Sequence, residues 1–258
     1  MSIIFSPPYI KQAFLVVTHN VDLAVRTRIA DVEKHFSDFV KGEAHSTNVD
    51  ANTPPPIPRL IINDGNKKLT VSQNRIQIEF NFEQDLGFDK SLAVVMKKAM
   101  PFLTAVSNFQ PVNAESMIGF VVHIQWPSLE QRSDIAKMLA DHFYTKNKLG
   151  EFDAFDLKLG FVTDALLFKN LAVSAYEVRE VTVVANPAVR LMAFESDSLP
   201  ITETGVGVNL DINNRARLRS TDKGKYDFHS SAKAVVDEMK NLVQSEIYSL
   251  LPSFEVLK

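Results

Sequence analysis

Three arginines stand at alternate positions, Arg215, Arg217 and Arg219, with Lys223 and Lys225 close behind. Guanidinium groups form paired hydrogen bonds with phosphates and carboxylates. If the chain continues as a strand after Gly205 to Ile212, all three point the same way, because alternate strand residues share a face. Such a row suits nucleic acid, a nucleotide or a carboxylate-rich partner. The ordinary explanation is an exposed edge or loop protected by its charge.

A second candidate is Asp227 with His229. A carboxylate that orients a histidine is a working catalytic device. With Asp211 and a divalent ion, the pair would suit a hydrolase or nuclease. Asp227 and Ser230 are also natural helix caps, which explains the segment without chemistry. The other histidines are His19, His35, His45, His123 and His142. Asp31 and His35 are one helical turn apart, the spacing of an ordinary solvated pair. Glu43, His45 and Asp50 share a loop. None of these spacings is an established metal pattern. Gly205-Val206-Gly207 lacks a third glycine and lies between strands, so it does not read as a dinucleotide loop. The chain has no nucleophile elbow and no Walker loop. No cofactor is expected.

Composition narrows the classes further. The chain has 258 residues, 45% hydrophobic and 23% charged, with a net charge of -3. That is an ordinary globular balance. It lacks the basic excess of a dedicated DNA-binding protein. The absence of cysteine rules out disulfides, thiolate zinc sites and cysteine nucleophiles. Met1 to Ser6 has no basic residue and is soon followed by Pro7-Pro8, unlike a signal peptide. The longest apolar runs fall far short of the ~20 residues that span a bilayer. The expectation is a cytoplasmic protein without a membrane partner.

The elements that must position these residues form a pattern that runs twice. In the first pass Gln12 to Thr18 reads as a buried strand. A helix capped by Asn20 or Asp22 follows, with Val25, Ile29, Val32, Phe36 and Phe39 on one stripe. Lys41 to Pro58 is a loop that closes in a stiff proline run. Leu60 to Asn63 and Lys68 to Val71 flank Asp64-Gly65, a hairpin signal. Arg75 to Phe82 alternates as a half-exposed strand. Ser91 caps a helix with Leu92, Val95, Ala99, Phe102 and Val106 in register, kinked at Pro101.

In the second pass Met117 to Trp126 is a strand ended by Pro127. Ser128 to Gln131 reads as a capping box for a helix with Ile135, Met138, Leu139 and Phe143 inward. Asp156 to Thr163, Ala165 to Val184, Arg190 to Glu195 and Gly205 to Ile212 read as strands. The last helix, Ser231 to Leu250, buries Val235, Met239, Leu242, Val243, Ile247 and Leu250. The fold class expected is α+β. Two related β-α-β(n)-α halves, 1–112 and 113–258, or one continuous domain, carry mainly antiparallel sheets with helices on one face.

The second pass is similar to half of the doubled fold of TATA-binding-protein-like and helix-grip domains. The chain also resembles a sporadically distributed bacterial protein family of unknown function. Pro7-Pro8, Pro54 to Arg59, Asp64-Gly65, Phe80-Asn81-Phe82, Leu210-Asp211-Ile212 and His229 carry that resemblance. Phe82 stands where the family tends to have tryptophan. The resemblance implies no catalytic residue and no cofactor. Sporadic distribution would suit an accessory gene, in phage defence or a toxin–antitoxin unit. The function expected is a non-catalytic binding or interaction protein that self-associates or takes a protein partner. The alternatives are nucleic-acid or nucleotide binding through the arginines, and a metal-dependent hydrolase or nuclease.

Overall fold

Alternating apolar residues build the centre of the molecule. The computed structural model describes residues 3–50, 52–113, 115–144, 152–180, 199–220, 227–247 and 255–256. A short β1 (Ile4–Phe5) leads to β2 (Tyr9–Thr18), which buries Ala13, Leu15 and Val17 on one side. Of the expected stripe, Val25, Val32, Phe36 and Phe39 are buried and Ile29 is partly buried, but the helix is shorter than expected. A 3-10 turn (Val25–Thr27) precedes α1 (Ile29–Phe36). Asp22 caps no helix; it accepts the Ala24 N–H and pairs with Arg28 at 3.0 Å.

The loop after α1 contains β3 (His45–Ser46) and ends in the proline strap. Arg59 holds the strap. It is 2% exposed and donates to the carbonyls of Thr53 and Ile57. β4 (Pro58–Asp64) and β5 (Lys67–Ser72) form the expected hairpin. Gly65 takes φ +57 in its turn, where a side chain is disfavoured. β6 (Arg75–Asn81) buries Ile76, Ile78 and Phe80.

α2 (Phe88–Phe109) starts after Gly87 rather than at Ser91. Gly87 has φ +76, which lets the chain enter the helix early. Ser91 is therefore inside the first turn, donating its hydroxyl to the Gly87 carbonyl. Pro101 lies within the helix, which runs unbroken to Phe109.

β7 (Ile118–Ser128) continues through Pro127, which pairs with Gly205 and accepts from the Ser6 N–H. The capping box does not form. Ser128 stays in the strand and donates to the Ile4 carbonyl, and Gln131 precedes α3 (Arg132–Phe143) without a side-chain cap. β8 (Asp156–Val162), β9 (Phe168–Arg179) and β10 (Ile201–Asn213) follow. The expected strand Arg190 to Glu195 lies outside the described residues.

A short α4 (Arg215–Arg219) leads toward α5 (Phe228–Asn241), which Asp227 caps by accepting the Ser230 N–H at 2.7 Å. A π turn (Leu242–Glu246) then adds one residue to the ladder. In an α-helix, residues eight apart sit about 80° out of line. The extra residue compensates, and Lys169 bridges Glu238 and Glu246 at 2.5 and 2.6 Å. The stripe Val235, Met239, Leu242, Val243 and Ile247 is buried as expected; Leu250 lies outside the described residues. Finally β11 (Glu255–Val256) pairs with β1.

The sheet order is β3-β4-β5-β6-β2-β7-β10-β9-β8. Apart from β1 with β11, neighbours are antiparallel. From the β2–β7 seam outward, one side runs β2, β6, β5, β4 and the other β7, β10, β9, β8. Both halves thus feed one sheet in the same order. α2 packs on β2, α3 on β9 and β10, and α5 on β7 and β10, while α1 and α5 pack on α2. The fold is α+β, with a large antiparallel sheet under helices.

Candidate functional site

The arginine row does not exist as a row. Asn213 and Asn214 end β10: Asn213 Oδ1 accepts the Arg215 N–H, and Asn214 is bonded to Ile118 N and Ser116 O. The chain turns helical, and helical residues two apart point about 200° apart. Arg217 goes inward. Its Nε donates to the Ala165 carbonyl at 2.9 Å and an Nη donates to Ser231 Oγ at 3.1 Å. It ties the β8–β9 turn to α5. Arg215 and Arg219 remain exposed, Arg219 with its guanidinium 5.5 Å from the Phe168 ring centre. Lys223 and Lys225 lie outside the described residues.

The sheet separates the proposed catalytic carboxylates. Asp227 caps α5, and exposed His229 stacks edge-on against Phe228 in the first turn. Asp211 faces away from the helices, accepting from Asn170 at 3.0 Å and from Asn213 at 3.1 Å. Among the described residues no three histidine, aspartate or glutamate side chains are grouped to hold a metal ion. His35 bonds the Asp31 backbone carbonyl instead of its carboxylate.

The structure draws attention to the face of the sheet opposite the helices. Strand alternation places Gln12, Phe14 and Val16 of β2 there, beside His123, Val121 and Gly119 of β7. Phe14 and His123 meet edge to face at 5.8 Å. Burial holds the His123 imidazole below its usual range, favouring the neutral ring. Amides border this apolar centre. Gln12 and Asn81 both donate to Glu79, at 2.8 and 2.9 Å, and Asn170 and Asn213 hold Asp211.

A polar network closes one end of the face. Glu203 accepts from Tyr176 at 2.7 Å and from Tyr9 at 3.4 Å, and Tyr9 also donates to Gln125 at 2.5 Å. Burial and the Glu203 charge push the Tyr9 phenol up to about 12 and raise Tyr176 too. Both phenols stay protonated as donors. Tyr176 lies over the glycine pair. A Cβ on Gly205 would sit 2.2 Å from the Trp126 carbonyl oxygen and 2.9 Å from the Tyr176 hydroxyl. Gly205-Val206-Gly207 is therefore a seat for a tyrosine ring. The sequence signal was available: glycines at alternate strand positions mark a close approach on one face.

Among the described residues, two grooves stand out on this face. One, of about 360 Å³, lies over β8, β9 and β10 around Asn170, Asn209 and Asp211. The other, of about 320 Å³, lies between the proline strap and β5–β6. A larger cleft of about 710 Å³ sits at the start of α3. Its arginines are already engaged, Arg132 with Asp153 at 2.9 Å and Arg179 with Glu177 at 2.5 Å. Among the described residues no helix is long and apolar enough to cross a membrane. No family model, curated protein or solved structure matches the chain.

Proposed function

We propose that the protein acts by binding, and that the face opposite the helices receives a protein partner. The observation that carries this is its composition across the seam. Phe14, Val16 and Val121 form an apolar centre, and Gln12, Gln77, Asn81, Gln125 and Asn209 surround it. Apolar centres with polar rims are the usual anatomy of protein interfaces. Charge favours protein over nucleic acid. Lys68, Arg75 and Lys158 are offset on this face by Glu79, Asp156, Glu203 and Asp211. Phosphate backbones need an excess of cations. Self-association is the same proposal with a second copy as partner.

The test is capture from the native host with nuclease-treated and untreated lysate, followed by a dissociation constant on the purified pair. A partner that survives nuclease and binds Phe14→Ala at least roughly tenfold more weakly supports the reading. Equal affinity for a folded Phe14→Ala protein would sink it. Material lost on nuclease treatment, with weaker capture by Arg215→Ala and Arg219→Ala, would replace it with nucleic-acid binding.

A further inference from the structure

The groove beside the proline strap carries two cations without a carboxylate partner among the described residues. Arg75 is half-buried, and its side chain donates to Gln77 with no other partner among the described residues. Lys68 stands on the same face one strand away, and Thr70 and Ser72 lie between. The Ser72 hydroxyl is used, donating to the Arg75 carbonyl. The Thr70 hydroxyl has no partner among the described residues. Glu79, the cross-strand neighbour of Lys68, is turned toward the amides of Gln12 and Asn81.

A partly desolvated guanidinium without a counter-ion is costly, and an incoming anion removes that cost. Burial lowers the affinity of Arg75 for its proton, the mark of such an uncompensated group. The opposite wall is fixed in advance. Pro56 and Ile57 belong to the strap that buried Arg59 ties down through Thr53 and Ile57, and the Pro55 carbonyl accepts the Gln73 N–H. A preformed wall reduces the ordering cost of binding.

We propose that this groove seats an acidic side chain of the protein partner, its carboxylate held by Arg75 and Lys68 with the Thr70 hydroxyl as a third donor. The inference rests on the protein-binding reading above and assigns chemistry to one end of that face. A carboxylate fits better than a phosphate. With Glu79 on the same face, Arg75 and Lys68 leave about one net positive charge, which a single carboxylate balances and a dianionic phosphate overshoots.

The probes are N-acetylglutamate amide, the isosteric N-acetylglutamine amide, and inorganic phosphate. Each is titrated into the isotope-labelled full chain at low salt, following the Thr70 and Gln77 amides and the Arg75 side-chain N–H. Saturable, localised shifts with the glutamate probe are expected, with at least about tenfold weaker binding in Arg75→Gln and a smaller loss in Lys68→Gln. Absent saturation, equal binding by the glutamine probe, or equal affinity in both folded variants overturns the assignment. Phosphate binding more tightly than the glutamate probe overturns it as well. If Arg75→Gln fails to fold, Lys68→Gln and the salt dependence of wild-type binding decide. A captured partner that binds Arg75→Gln unchanged defeats this inference alone. Glutamate binding in a protein whose partner ignores Phe14→Ala defeats the wider reading alone.

Discussion

The two ends of the uncovered sheet face share a strand order and differ in what they present. On the first half a stiff proline wall faces Arg75 and Lys68. On the second, Asp211 sits among amides and a tyrosine lies across two glycines. The helix-facing sides show no such contrast: Ile76, Ile78 and Phe80 on β6 match Val206, Val208 and Leu210 on β10 in burial. Apolar alternation specifies the scaffold, and the outward residues between those positions are free to diverge. The lesson is that function in this fold should be sought on the outward positions.

Gly205→Ala should give the largest effect, about 3 kcal/mol, at the top of the usual overpacking range, because a backbone oxygen blocks the new methyl. Arg59→Met on the first half should cost roughly 2–3 kcal/mol by stranding the strap carbonyls. Denaturant unfolding measures both, and the double variant sharpens the comparison. The sites are five strand spacings apart, about 24 Å, so additive losses are expected. Strong coupling would mean that the halves share more than a seam.

Arg217→Ala should cost about 2 kcal/mol, whereas Arg215→Ala and Arg219→Ala should stay within about 0.5 kcal/mol. Equal small losses would contradict the helical reading of that segment.

Acid should expose two histidines, His19 beside α1 and His123 at the seam. Burial is the main cause that lowers both; for His19 the Arg28 charge adds to it, against the Asn20 carbonyl and Asp22. The unfolded chain therefore takes up protons first. Their stabilisation is complete above the ordinary value of 6.5 and is lost as pH falls below it toward the folded value. His19→Gln and His123→Gln should each flatten the loss of stability between pH 7.5 and pH 5, and unchanged slopes would count against burial as the cause. Least affected should be Lys233→Ala, whose exposed pairing with Asp237 contributes at most about 0.5 kcal/mol.

Much of the scaffold was legible in the sequence because its signals are periodic. The β6 alternation, the Asp64-Gly65 hairpin and the stripes of α2 and α5 all stand where spacing put them. Boundaries were less legible because tertiary partners moved them. Gly87 started α2 early, and pairing with Gly205 carried β7 through Pro127. The arginines would share a face only if the strand continued, and it does not, for a local reason. Alternation continued in the letters past Asn213-Asn214, but the two asparagines redirected the chain. The candidate face was legible only in pieces, the β6 alternation and the paired glycines, since Phe14, Arg75 and Glu203 share one face only through the register of strands distant in sequence.

The β2–β7 seam has a consequence for how the chain is made. β7 can join β2 as soon as it emerges, but its other edge waits for β10. Ile201 lies 73 residues beyond Ser128. At ribosomal speeds of roughly 5–20 residues per second, that edge stays bare for about 4–15 seconds of synthesis. During that interval a nascent chain offers its central strand to any neighbour, and crowded polysomes are where this protein is most exposed to mispairing.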